Sequence, residues 1–164
     1  MARRLTTRAI GRIEAVLVGL VALAALSARA DGGVVVPAGE LDGAARSALD
    51  RIAAAVENGD YETLAAAMHP DGVRLNLAPQ QDRASELTPA QAYYYFKNLF
   101  QVRRTIRFAY QKRQYSGDDR LLAVSAWRCE RTDRGTVETR RLLFTLARTG
   151  ADWWVTEIAD LRGD

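Results

Sequence analysis

The sequence predicts an α+β domain in which helical segments cover one face of a mainly antiparallel sheet. Three observations carry this. Residues 105–160 hold four consecutive strand-like runs joined by short turns, three amphipathic helical segments precede them, and residues 1–30 read as an export signal outside the fold.

The signal reading comes from the order of its parts. Arg3, Arg4, Arg8 and Arg12 form a basic start, and residues 15–26 form an apolar run. That run is shorter than the roughly 20 residues a membrane-spanning helix needs. Ala28-Arg29-Ala30 then supplies the small-x-small pattern of a cleavage site, so cleavage is expected after Ala30, leaving no membrane span in the mature chain. The whole chain has 23 basic and 20 acidic residues, a net +3. Residues 1–30 contain five of those arginines and one acid, Glu14, leaving 18 basic and 19 acidic residues, a net −1. The basic character therefore belongs to the signal, and the mature domain lacks the excess positive charge that nucleic-acid binding requires. No nucleic-acid partner is expected.

Residues 31–40, rich in Gly and Val, read as a short leader, and residues 41–161 as the domain. In the first helical segment, 41–56, the residues Leu41, Ala45, Ala48, Leu49, Ile52 and Val56 fall on one stripe. Asn58-Gly59 stops it. Asp60 is placed to cap a second, short helix whose apolar face is Tyr61, Leu64, Ala65 and Met68, with Pro70 as its end. Residues 73–77 alternate as a short strand, and 78–87 read as a polar loop. The third helix opens on Thr88, Pro89 and Gln91, a capping box with proline in the first turn. Ala92, Tyr93, Phe96, Leu99 and Phe100 share one face. Three consecutive tyrosines, 93–95, are about 100° apart around a helix, so at least one hydroxyl must reach water or a polar wall.

The four runs span 105–115, 121–131, 137–148 and 153–160. Alternation places Ile106, Phe108 and Tyr110 together in the first. The second run starts apolar on both faces, which marks it as central in the sheet. Leu142, Phe144 and Leu146 share a face in the third. In the fourth, Trp154 and Ile158 oppose Trp153, Val155 and Ala159. The separators contain Gly117, Gly135 and Gly150 in turn-type contexts, and links this short join antiparallel neighbours.

Candidate chemistry is sparse. The one cysteine, Cys129, shares a strand face with Ala123, Ser125 and Trp127 and reads as a buried, inert thiol. The one histidine, His69, ends the second helix, where a cation suits the helix dipole, and one Cys and one His give neither a zinc set nor a disulfide. No metal or cofactor is expected. Arg103, Arg104, Arg107, Lys112 and Arg113 read as a solvated strand face rather than a phosphate site.

Two phrases, Asn58-Gly59-Asp60-Tyr61-Glu62-Thr63-Leu64 and Met68-His69-Pro70-Asp71-Gly72-Val73, resemble the opening of the cone-shaped superfamily of nuclear transport factor two, SnoaL-like cyclases and ketosteroid isomerase. Residues 150–158 resemble its closing turn and aromatic strand. The capped helix 88–100 and Trp153-Trp154-Val155-Thr156-Glu157-Ile158 look most similar to a group of exported bacterial domains within it. The resemblance covers 41–160. It implies a cystatin-like cone: a curved sheet wrapped around helices, a pocket at the open end, and homodimerisation through the outer sheet face, where Trp153, Val155 or Leu143 would need cover.

Two functions compete under that resemblance: an exported, non-enzymatic binding or assembly domain of the periplasm or cell exterior, and a small-molecule isomerase or dehydratase. The first takes a small apolar ligand or an envelope protein as partner. Ligand-binding candidates expected to face inward are Arg74, Asn76, Tyr93, Trp127 and Glu157. Acid–base catalysis needs titratable groups with shifted pKa values, and no strong pair is visible. The resemblance places the catalytic base of the ketosteroid-isomerase type at about Asn76, a neutral amide that cannot abstract a carbon-bound proton.

Overall fold

The structure, a computed structural model, describes residues 34–35, 41–77 and 84–161. The expected signal peptide, most of the leader and the middle of the polar loop lie outside the described residues.

Three helices and seven strands follow in the order β1 (Val34–Val35), α1 (Gly43–Asn58), α2 (Tyr61–Ala66), β2 (Val73–Asn76), β3 (Ser85–Leu87), α3 (Pro89–Val102), β4 (Arg103–Tyr115), β5 (Arg120–Arg131), β6 (Thr136–Thr149) and β7 (Asp152–Asp160). Local chemistry sets the helix ends. The Asp42 carboxylate accepts from the Ala45 amide at 2.6 Å to start α1, and Gly59 ends it at φ 67, donating to the Ala55 and Val56 carbonyls. The Asp60 carboxylate accepts from the Thr63 amide at 2.9 Å and from the Thr63 hydroxyl at 2.6 Å. Thr88 and Gln91 form the expected capping box on α3. α3 runs into β4 with no intervening loop.

The strands form one sheet in the order β1-β4-β5-β6-β7-β2-β3. Every pairing is antiparallel except β2 with β7, which lie far enough apart in sequence to permit a parallel pair. β5 is central, as its two apolar faces imply. Two features extend the sheet beyond expectation. Val34–Val35, within the segment read as leader, pairs with Tyr115 and Gln114. Ser85–Leu87, read as loop, pairs with β2 as a three-residue strand.

Register shifts interrupt the alternation at Thr105/Arg107 and Tyr110/Lys112 in β4, and opposite Thr145/Leu146 in β7. Bulges of this kind bend a sheet and reverse the facing of the residues beyond them. They correct two expectations. Ile106, placed with Phe108, is exposed, and Thr105 points inward instead. Ile158, placed opposite Trp153 and Val155, shares their buried inner face, so neither Trp153 nor Val155 lies on the outer surface.

The interior packs Leu49, Ile52, Phe96, Trp127, Phe144 and Leu146 between helices and sheet. A polar relay fixes the ends of these elements. The Trp127 indole donates to Thr105 Oγ1 at 2.9 Å, and the Thr105 hydroxyl donates to the Val56 carbonyl at 2.7 Å. The relay satisfies a carbonyl of the last turn of α1.

Thr88→Ala is expected to destabilise the fold by about 1 kcal/mol, since it leaves the Gln91 amide without its cap. Chemical denaturation reads this directly, and an unchanged midpoint would contradict both the cap and its role in starting α3.

Candidate functional site

The structure does not bring the five candidate residues together: Arg74, Asn76 and Glu157 share the outer face of the sheet, and Tyr93 and Trp127 lie elsewhere. On β2, Val73 and Leu75 point into the core, and the alternate residues Arg74 and Asn76 point outward. Arg74 forms a 3.2 Å ion pair with Glu86, both exposed, of the kind that contributes little to stability. Glu157 pairs with Arg74 across the parallel β2–β7 ladder, again on the outer face because of the bulge before it. The inward placement expected for Arg74, Asn76 and Glu157 is thereby corrected. The inner positions of this segment are Val73, Leu75 and Leu77, all buried.

Arg74 and Glu157 do meet, in an outer groove of about 550 Å³ that also takes in Glu86, Arg120, Thr145 and Thr156. Its mixed charge suits a polar contact better than an apolar one. Tyr93 stands elsewhere, half-buried between α2 and α3, with its ring edge-on to Tyr61 at 5.1 Å. Of the three tyrosines, Tyr94 is the one turned to water. Trp127 is fully buried, with Phe100 edge-on at 6.3 Å.

Trp127 leads to a cluster that the sequence reading missed. Its partner across the β5–β6 ladder is Arg140, whose guanidinium carbon lies 5.9 Å from the ring centroid. Arg140 is 7% exposed. Its Nε donates to Asp160 Oδ2 at 3.0 Å and its Nη2 to the same oxygen at 2.5 Å, with a further short bond from Nη2 to the Leu77 carbonyl. Nη1 has no partner among the described residues. A second pair lies alongside, with Arg103 Nε donating to Glu138 Oε1 at 2.9 Å and Cys129 Sγ 3.8 Å from that oxygen. A readable signal existed for Arg140: it shares the strand face of Leu142, Phe144 and Leu146, an arginine on an apolar stripe.

The electrostatics of this cluster follow from its burial and pairing. Burial acts to raise the Glu138 carboxyl, but the Arg103 hydrogen bond and the charges of Arg103 and Arg140 outweigh it and hold the group below its usual range. Burial raises the Tyr95 hydroxyl, against the opposing charges of Arg140 and Arg103. Burial pushes the Cys129 thiol up to about 11, with the Glu138 charge adding to the effect. His69 is remote from Cys129; its Nδ1 accepts from the Asp71 amide at 3.2 Å, and its Nε2 lies 3.4 Å from the Thr149 hydroxyl. Among the described residues no three His, Cys, Asp or Glu side chains gather into a metal-binding group.

By sequence, the chain matches no family model and no curated protein. By structure it is similar to a putative isomerase from Bacillus subtilis, with a TM-score of 0.59 and 15% identity over 76% of this chain and 88% of that one. It is also similar to a ketosteroid isomerase-like protein from Erwinia carotovora atroseptica, with a TM-score of 0.58 and 14% identity over 73% and 95% of the two chains. A DUF4783 family protein from Bacteroides uniformis matches with a TM-score of 0.58 and 11% identity over 70% and 96%. At these identities the likeness establishes the fold, a cone of the nuclear-transport-factor-two and SnoaL-like type, and leaves the activity open.

With its pKa near 11, Cys129 is a neutral thiol at about pH 8, and its thiolate fraction grows only as pH rises well beyond that. A thiol-disulfide exchange reagent at that pH is expected to label it only after denaturant is added. Stoichiometric labelling of the native protein within seconds would contradict a buried, inert thiol.

Proposed function

We propose that the chain is an exported binding and assembly domain rather than an enzyme, and that two copies join through the outer face of the sheet. The observation that supports this most is the state of the two acids paired with arginines on the inner face of the sheet. Asp160 and Glu138 each sit against an arginine, and Glu138 is held below its usual range. A general base working near neutral pH needs the opposite shift. The inner side of β2 offers only Val73, Leu75 and Leu77 where the isomerase-type base would stand. The second reading, an isomerase or dehydratase, draws on the same Arg140–Asp160 pair, since a carboxylate beside a polar partner inside a cone is a catalytic arrangement in outline.

Self-association has its own support. Val124, Leu143 and Ala159 stand side by side across β5, β6 and β7, with Leu122 adjoining them. The helices occupy the other side of the sheet, so this band is only partly covered within one chain. Contiguous apolar surface rimmed by charge is the usual form of an association site, and a two-fold axis would pair the band with itself. Export is supported by the order of basic, apolar and small residues in 1–30, and among the described residues no helix is long and apolar enough to cross a membrane.

Native mass spectrometry of protein recovered from its own cell envelope reads both parts at once. The expected species is a dimer of chains beginning at Asp31, and Leu143→Arg is expected to leave a folded monomer. A full-length monomer would contradict the reading. Turnover of a β,γ-unsaturated ketosteroid well above buffer, lost on Asp160→Asn, would replace it with the isomerase.

A further inference from the structure

We propose that Arg140 and Tyr95 form a binding site for a small monocarboxylate inside the cone. The inference deepens the reading of the domain as a binder by naming a ligand class. It fails separately from self-association, which concerns the opposite face of the sheet.

The central fact is a guanidinium that is buried and incompletely used. Arg140 is 7% exposed; its Nε and Nη2 are taken by Asp160 and the Leu77 carbonyl, and Nη1 has no partner among the described residues. Folded proteins leave few buried donors unpaired, because each has lost water without a replacement. A cationic donor loses the most. The Tyr95 hydroxyl, on α3, lies within electrostatic range of Arg140. A buried, unused donor that carries charge, with a hydroxyl nearby, calls for an acceptor bearing negative charge.

The surroundings select the charge. Arg140 and Arg103 are balanced by Asp160 and Glu138, so the four groups sum to zero before any ligand arrives. A single added negative charge is met directly by the free Nη1. A dianion such as phosphate would add a second, in a setting that already holds two carboxylates and damps charge poorly. Geometry points the same way: the free edge of the guanidinium offers one nitrogen, since Asp160 takes the bidentate edge. Beside the guanidinium is the Trp127 ring, which favours an acid with a hydrocarbon tail over a bare hydrated ion. Asp160 serves here as a positioning residue that fixes the plane of the guanidinium.

The test is a titration of the mature domain with hexanoate, following the Arg140 Nε–H signal and the backbone amides around Trp127 by NMR. Hexanol and inorganic phosphate serve as controls. The proposal expects a saturable shift with hexanoate and none with hexanol. Arg140→Met is expected to weaken binding about tenfold or more, and Tyr95→Phe, which leaves the core intact, about three- to tenfold. If Arg140→Met fails to fold, Tyr95→Phe decides alone. Absence of saturable binding, hexanoate binding that Tyr95→Phe does not weaken, or phosphate binding as tightly as hexanoate would each overturn the proposal.

Discussion

Burying a guanidinium costs several kcal/mol unless its hydrogen-bonding edge is filled and its charge is met. In this cone Arg140 meets most of that demand, all but Nη1, with groups from three separate strands or their ends. Asp160 comes from the end of β7, the carbonyl from Leu77 just past β2, and the aromatic face from Trp127 on β5. The requirement ties the register of β5, β6 and β7 to the position of β2. β2 is the one strand that pairs in parallel among the described strands, through three residues set against β7, and the Arg140–Leu77 contact fixes where it ends. At the other side of Trp127, the relay through Thr105 to Val56 fastens α1 and β4 to the same tryptophan. The interior is therefore organised around one indole with a cation on one side and a hydroxyl on the other.

The same arrangement separates holding from turnover. A carboxylate locked to a guanidinium is a poor base: at Glu138 the hydrogen bond from Arg103 and the nearby positive charges favour the charged form and outweigh burial, which opposes it. What the pair leaves over is a donor, Nη1, and donors bind acceptors. The outer face presents a different chemistry: an apolar band through Val124, Leu143 and Ala159, and a polar groove around Arg74 and Glu157. Each face of the sheet thus has its own kind of contact to make.

Much of the fold was legible in the sequence where local chemistry decides structure. The cap at Asp60, the capping box at Thr88 and Gln91, the stop at Gly59 and the four long strands all follow from short-range rules. The facing errors on β4 and β7 share one cause. Alternation assumes an unbroken pleat, and single-residue bulges in β4 and β7 moved Ile106 outward and set Ile158 beside Val155. The bulge in β7 also turned Glu157 to the outer face. Ser85–Leu87 was missed because three residues with a polar start carry almost no periodic signal. The site was less legible. Arg74 and Asn76 alternate with Val73 and Leu75, so their outward facing was readable and was overridden by the family expectation. Arg140 was visible as a charge on an apolar face. Its partner Asp160 was not, because the pairing depends on tertiary register across two strands.

The Arg140–Asp160 pair sets the register of the interior without being a net source of stability. A double-mutant cycle on equilibrium unfolding tests this most directly. Asp160→Leu alone should cost about 3–5 kcal/mol, because it strands a buried cation, while Arg140→Met with Asp160→Leu should return to within about 1 kcal/mol of the starting stability. A double variant as unstable as the single one would show that the pair is needed to hold the cone together, and would contradict the account.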